Sequence, residues 1–331
     1  MIEREKQIEQ FLTQNGLDQA TRLMLVNDAS SRRYYRLETS NKQSFILMDA
    51  PQPHENVRDF IKIDRHLIKH GYSAPRLLAI NVNAGLLLLE DFGNNTFTKL
   101  LASGENEKKL YHLAVDQLID MHSKGQAIIP PNLSQYSDQC LLNEILLFYD
   151  WYVKEMYPLA PQNVRNDYIA IWQALFSLVR TVPTTLVLRD FHVDNLLRLD
   201  SRNGISACGL LDFQDAIVGP ITYDLVSLLE DARRDIDHEL IIDMKRYYIN
   251  AFPNLNYYDF ITSWAVIAAQ RHAKVIGIFT RLYRRDKKSI YLQHIPRVWH
   301  LLEQALTNRC LIDLKDWFDY HLPKDKRKVP Q

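Results

Sequence analysis

Cysteine is scarce in this chain of 331 residues: Cys140, Cys208 and Cys310 stand far apart, with no C-x-x-C spacing. That pattern argues against a disulfide framework or a zinc site and fits a reducing cytoplasm. Net charge is missing as well, because 40 basic and 40 acidic side chains cancel. A zero balance argues against a global electrostatic hold on nucleic acid or on an anionic membrane. No run approaches the roughly 20 apolar residues of a membrane span. The opening MIEREKQIEQFL is charged and helical in pattern, without the apolar core of a signal peptide. Internal repeats, low-complexity tracts and long linkers are also lacking. What remains, 47% hydrophobic and 24% charged, is the composition of a soluble globular protein long enough for one large domain or two lobes.

Periodicity predicts an amphipathic helix over 3–15, stopped by Gly16, then strands at 23–26, 34–37 and 45–48. A helix over 54–70 follows, with Gly71 as its stop, and then strands at 76–80 and 86–90. The first ninety residues thus read as a small antiparallel sheet with one long helix inserted. Glu90-Asp91-Phe92-Gly93-Asn94 breaks the apolar run LLLLE and suits a connector between lobes. Helices dominate beyond it, over 96–102, 106–123, 138–157, 163–180, 221–233, 237–250, 256–284, 288–307 and 309–319. The expected class is α+β, with residues 1–92 as an N-terminal lobe and 93–323 as a helical C-terminal lobe. Residues 324–331 form a basic end, expected to be disordered.

The chemistry concentrates in 185–229. Short apolar β-type runs at 186–188 and 196–199 flank a polar loop carrying Arg189, Asp190, His192, Asp194 and Asn195. A third run at 209–211 delivers Asp212, followed by Gln214, Asp215 and the turn Gly219-Pro220. Moving the γ-phosphoryl of a nucleotide requires a carboxylate facing the acceptor, oxygen ligands for Mg²⁺ and groups that fix the phosphates. Asp190 and Asn195 have D-x-x-x-x-N spacing, so Asp190 suits the acceptor-facing base and Asn195 a metal ligand. Asp212, at the end of the next hairpin strand, suits the bridge between metal and phosphates.

LVLRDFHVDNLL followed by GLLDFQDAIVGPITYDLVSLL resembles the aminoglycoside and choline phosphotransferase superfamily. The resemblance implies a two-lobed protein-kinase-like fold and maps the family's catalytic Asp, nearby His, Asn and metal-binding Asp onto Asp190, His192, Asn195 and Asp212. NDASSRRYYRL, ILMDAP, LLLLEDFG, QRHAKVIGIFTRL and YLQHIPRVW are similar to the branch of bacterial cell-wall amino-sugar kinases. That branch implies ATP and Mg²⁺ as cofactors. It also implies transfer to the anomeric hydroxyl of N-acetylmuramate or N-acetylglucosamine in peptidoglycan recycling.

Three departures from the superfamily stand out. Leu188 occupies the position of a loop-supporting His. The turn between the first strands holds Asp28, Ala29, Ser30 and Ser31 without a glycine, so phosphate contacts there fall to backbone N–H groups and to the hydroxyls of Ser30 and Ser31. Met48 and Asp49 stand where the third strand should carry a phosphate-binding lysine. Arg33 or Arg36 is the expected substitute. Backbone groups of Glu90, Asp91 and Phe92 are expected to pair with adenine.

Asp224, at a helix start, reads as a cap or a buried partner of the catalytic loop. Asp194, Gln214 and Asp215 are candidates for sugar hydroxyls, with a solvated loop as the alternative. His192, placed on the substrate side, suits either metal-bound phosphate or a hydrogen bond that fixes the loop. Glu144, with Asp150 and Tyr152, and the cationic stripe Arg271, Lys274 and Arg281 are the polar groups expected at the acceptor; a solvated basic face is the alternative for the stripe. Trp151, Trp264 and Tyr152 suit either a sugar ring or the core. The expected partner is a small amino sugar, with neither nucleic acid nor membrane, and the protein is a monomer or a dimer. Two other functions stay open: a kinase of an aminoglycoside, choline or homoserine-like alcohol, and a non-catalytic nucleotide-binding protein.

Overall fold

A computed structural model of the chain describes residues 2–25, 32–51 and 56–331. It divides into two compact units, Met1–Ala114 with Val193–Ala216 and Val115–His192 with Ile217–Gln331.

In the first unit, helix α1 (Ile2–Gln14) precedes strands β1 (Thr21–Met24), β2 (Arg33–Glu38) and β3 (Ser44–Asp49). Helix α2 (Val57–Lys69) then separates them from β4 (Leu77–Asn81) and β5 (Leu86–Glu90). The strands form one antiparallel sheet in the order β1-β2-β3-β5-β4. Alternation along β5 sends Leu86 and Leu88 into a core shared with Ile8, Phe11 and Leu12 of α1 and with Leu37 and Leu47. Leu87 and Leu89 are buried as well, so both faces of the strand are covered and its run is apolar without a break. Helix α2 starts where the Asn56 side chain accepts the Arg58 N–H. Its Phe60 packs against Phe213 with the rings tilted and their centroids 5.0 Å apart. Helices α3 (Phe97–Ala102) and α4 (Glu107–Ser123) follow, and the chain passes into the second unit within α4. The later strands β7 (Leu196–Arg198) and β8 (Cys208–Leu210) belong to the first unit and pair with each other.

The second unit is helical: α5 (Asp138–Leu147), α6 (Lys154–Met156), α7 (Gln162–Val179), α8 (Thr222–Leu229), α9 (His238–Asn250), α10 (Tyr257–Asp286), α11 (Ile295–Ala305) and α12 (Ile312–His321). The 30-residue α10 is its axis and buries Ala265 through Lys274 without a break. Asn256 caps its start by accepting the N–H groups of Tyr258 and Asp259. The expected continuous helix over 138–157 is instead interrupted by a π-helical turn at Phe148–Val153. The cause lies opposite: Gly277 of α10 brings its backbone against Leu147 and Phe148 so closely that no Cβ fits.

Two further expectations change. The run after Thr184 pairs as β6 (Thr184–Val187) with β9 (Ile217–Pro220), in a sheet separate from β7 and β8. Gly219-Pro220, expected as a turn, lies in that strand because Pro220 ends it, where a missing N–H is tolerated. The basic end is also held in place. Arg327 pairs with Glu303 and Asp319 at 2.5 Å each, and Tyr152 donates to the Lys328 carbonyl at 2.6 Å.

Candidate active site

Asp190 follows β6 in the second unit, and the residue before it has a left-handed backbone. Arg189 has φ 71°, a conformation that side chains other than glycine resist. The surroundings hold it there. Asp224, buried at the start of α8, accepts the N–H groups of Leu188 at 2.7 Å and Arg189 at 2.9 Å. Arg271 of α10 donates to the Arg189 carbonyl at 3.1 Å, and Ser227 donates to the same oxygen at 3.3 Å. Leu188 is buried and packs where a polar loop support was missed in the sequence.

Burial alone would raise the Asp190 carboxyl, but Arg271, His192, Lys274 and Arg189 together hold it below its ordinary range. It is therefore a carboxylate at neutral pH. The His192 N–H donates to the Asp190 carbonyl at 3.2 Å. Glu144, Arg271 and Lys274, expected at the acceptor, lie buried in one network. Glu144 accepts from the Tyr136 hydroxyl at 2.6 Å and from Gln270 at 2.8 Å, and it pairs with Arg189 and with Lys274 at 3.2 Å. Lys274 also donates to the Tyr223 hydroxyl at 2.8 Å. Burial opposes ionisation of Glu144, yet Lys274 and Arg189 bring its carboxyl down to about 2. Tyr152 and Trp264 are core residues, and Trp264 donates to Glu230 at 2.6 Å. Asp150 pairs with Lys154 at 2.9 Å.

In the first unit, the β7–β8 pair carries Asn195 and Asp212 at its ends. The Leu211 N–H donates to the Asn195 carbonyl at 2.9 Å, tying the two segments together. Asp212 has φ 57°, a second left-handed residue at a predicted functional position. Its Oδ1 accepts from Gln214 at 2.8 Å and lies 3.7 Å from Nη2 of Arg32. Phe213 is anchored on Phe60, which fixes the strand end that presents Asp212. A carboxylate and an amide oxygen are hard donors that suit Mg²⁺. Among the described residues no cluster of three His, Cys, Asp or Glu could by itself hold a metal ion.

Of the expected cations, Arg36 is engaged elsewhere. It pairs with Asp91 at 2.6 Å and donates to the Asn94 side chain and the Gly93 carbonyl. Arg33 is exposed, opposite Asp49 in the β2–β3 register. Arg32, just before β2, is buried and lies near Asp212, whereas its neighbour Arg33 is exposed. Asp91 also accepts from Ser44 at 2.8 Å and from the Gly93 N–H, so its side chain shapes the connector. Glu90 pairs with Arg76 at 3.1 Å and Arg202 at 2.6 Å, and Arg202 stacks over the Phe92 ring at 5.1 Å. Asp194 accepts from Thr98, whereas Asp215 is exposed. Ser30 and Ser31 lie outside the described residues.

The phosphotransferase enzyme family matches residues 23–261. The chain belongs to that family. This phosphotransferase is 31% identical to the N-acetylmuramate/N-acetylglucosamine kinase of Caulobacter vibrioides, over 98% of this chain and 99% of the relative. It is 34% identical to the kinase of the same name from Pseudomonas aeruginosa, over 86% and 83%. Its fold is that of Plasmodium vivax ethanolamine kinase, with TM-score 0.63 at 12% identity, covering 93% of this chain and 87% of that one. It also matches aminoglycoside 2′-phosphotransferase-IIIa in its GDP complex, with TM-score 0.58 at 15% identity, covering 92% and 99%. The expected kinase-like fold and family are thereby borne out. Among the described residues, no helix is long and apolar enough to cross a membrane.

Proposed function

We propose that this phosphotransferase moves the γ-phosphoryl of ATP, with Mg²⁺, onto the anomeric hydroxyl of N-acetylmuramate and N-acetylglucosamine, in the cytoplasm. The observation that carries the acceptor is the end-to-end match with a kinase of that name. In this reading residues 1–92 hold the nucleotide and 93–323 supply the acceptor side.

Asp190 orients the sugar hydroxyl and takes its proton as the O–P bond forms. Its depressed pKa keeps it ionised for that role. Asn195 and Asp212 hold Mg²⁺, which neutralises charge on the phosphates when bound. Main-chain groups of 90–92 serve the adenine, and Ser30 and Ser31 serve phosphate oxygens. Glu144, Arg271 and Lys274 act as the frame of the catalytic loop, because their polar atoms bond one another and the Arg189 backbone. His192 and Asp215 are assigned to sugar hydroxyls, whereas Asp194, bonded to Thr98, steadies the loop.

The test is a coupled ADP-release assay with MgATP and a panel of N-acetylmuramate, N-acetylglucosamine, choline, homoserine and an aminoglycoside. Turnover on the two amino sugars, giving an acid-labile phosphate, is the expected result. Transfer to one of the other alcohols alone would overturn the acceptor. Asp190→Asn should lower turnover on the order of 10²–10⁴-fold with nucleotide affinity nearly unchanged.

A further inference from the structure

Tyr223 is wholly buried at the start of α8, beside Asp224, and its ring meets that of Tyr136 edge to face with centroids 5.4 Å apart. Packing alone would call for phenylalanine here, because a buried hydroxyl is costly unless it is bonded. This hydroxyl is bonded to cations. Lys274 Nζ donates to it at 2.8 Å, and Arg271 Nη1 lies 3.5 Å from it. Lys274 Nζ and Arg271 Cζ also stand 5.5 Å from the ring centroid, within the range of a cation–π contact.

Each cation leads from Tyr223 to Asp190 by its own route. Arg271 Nη1 also donates at 3.1 Å to the Arg189 carbonyl, the oxygen of the peptide bond that joins Arg189 to Asp190. Lys274 acts through its charge: burial pushes the Asp190 carboxyl up, and Arg271, His192, Lys274 and Arg189 bring it down. The ammonium of Lys274 is shared between the Tyr223 hydroxyl and Glu144 Oε1, which lies 3.2 Å away. Burial and the charge of Arg271 both work against that ammonium, so its position depends on these acceptors.

We infer that Tyr223 is a positioning residue for phosphoryl transfer: its hydroxyl holds Lys274 and Arg271 together, against their mutual repulsion, where they fix Asp190 for the acceptor. The inference rests on the reading of Asp190 as the acceptor-facing base and is independent of which alcohol is phosphorylated.

Steady-state kinetics of Tyr223→Phe, which keeps the ring and removes one oxygen, tests it. With the acceptor that wild type turns over, kcat should fall roughly ten- to a hundredfold, the scale of a hydrogen bond to a charged group. KM for MgATP should stay nearly constant, because the step affected is transfer and not nucleotide binding. Lys274→Met should lower kcat as well, and adding Tyr223→Phe to it should cost much less than on wild type, since one partner of the hydroxyl is already gone. Wild-type kcat in Tyr223→Phe, a loss confined to KM, or losses that multiply in the double variant would overturn the inference. So would a lowered urea midpoint with kcat per folded molecule unchanged, the mark of a purely structural hydroxyl. If Tyr223→Phe does not fold, 4-aminophenylalanine placed at 223 carries the test, because it fills the same space with a donor where the acceptor stood. A fall in kcat is again expected, and the wild-type value would refute the role. Wild-type turnover in Asp190→Asn would instead refute the reading of Asp190, and the positioning role with it.

Discussion

Asp224 holds Arg189 in its left-handed backbone: one carboxylate oxygen accepts the Arg189 N–H at 2.9 Å while the other accepts that of Leu188 at 2.7 Å. The strained residue stands immediately before Asp190, so the carboxylate acts on that proposed catalytic position through the chain. Asp224→Asn leaves one acceptor for two N–H groups. Losing one such bond costs about 1–3 kcal/mol, so kcat should fall roughly ten- to a hundredfold with KM for ATP nearly constant. Steady-state kinetics on both substrates checks the split. Burial pushes the Asp224 carboxyl up to about 7, despite the two N–H groups and Arg271. Protonation removes an acceptor, so kcat should also fall as pH drops below 7; Asp190, held low, titrates well beneath that range.

Asp64 predicts a pH-dependent stability. It is wholly buried in α2, and neither carboxylate oxygen has a hydrogen-bond partner among the described residues. Burial raises its carboxyl to about 7, Arg65 opposing and Glu90 adding to the rise. The folded pKa thus lies above the unfolded one, and the proton it keeps stabilises the fold at low pH. That contribution is full below about pH 4 and is lost as pH rises through 7. Asp64→Asn should raise stability at pH 8 by on the order of 2–4 kcal/mol and do little at pH 4. Urea unfolding at the two pH values distinguishes this from a pH-independent gain.

Gly277 predicts a packing failure. A Cβ at this position overlaps the Leu147 carbonyl and the Phe148 amide, both backbone groups that cannot rotate away. Gly277→Ala should therefore destabilise the protein by about 1–3 kcal/mol or more, against the usual helix-propensity gain of about 1 kcal/mol. A lower denaturation midpoint is the expected measurement, and an unchanged or higher one would disprove the close approach.

Arg4 and Asp49 predict a strong pair. Arg4→Ala leaves a fully buried carboxylate without its partner, which costs about 3–5 kcal/mol. Replacing both with apolar residues, Arg4→Met with Asp49→Leu, should recover most of that loss. A double-mutant cycle measured by urea unfolding gives the coupling directly.

Much of the fold was legible along the chain because its elements are long or sharply bounded. The LLLLE strand, the 54–70 helix and the 256–284 helix all lie within a few residues of their observed places. Asp224 could be read as a partner of the catalytic loop, because a carboxylate at a helix start seeks N–H groups. Less visible was the strand at 217–220, where a Gly-Pro step signals a turn and only the pairing with Thr184–Val187 overrides it. The π turn at 148–153 was hidden as well, since its cause, Gly277, lies more than a hundred residues away.

By itself the sequence determined the reaction class, because Asp190, Asn195 and Asp212 lie within one short segment whose whole pattern resembles the phosphotransferase family that the chain matches. Only the tertiary structure decided which charges are spent on structure. Glu144, Arg271, Lys274 and Arg36 look like ligands in a sequence, yet each finds a protein partner once the chain is folded. Arg32, unremarked beside Arg33, comes to Asp212 for the same reason. Ion pairing between distant residues depends on where the backbone brings them, and no local pattern records that.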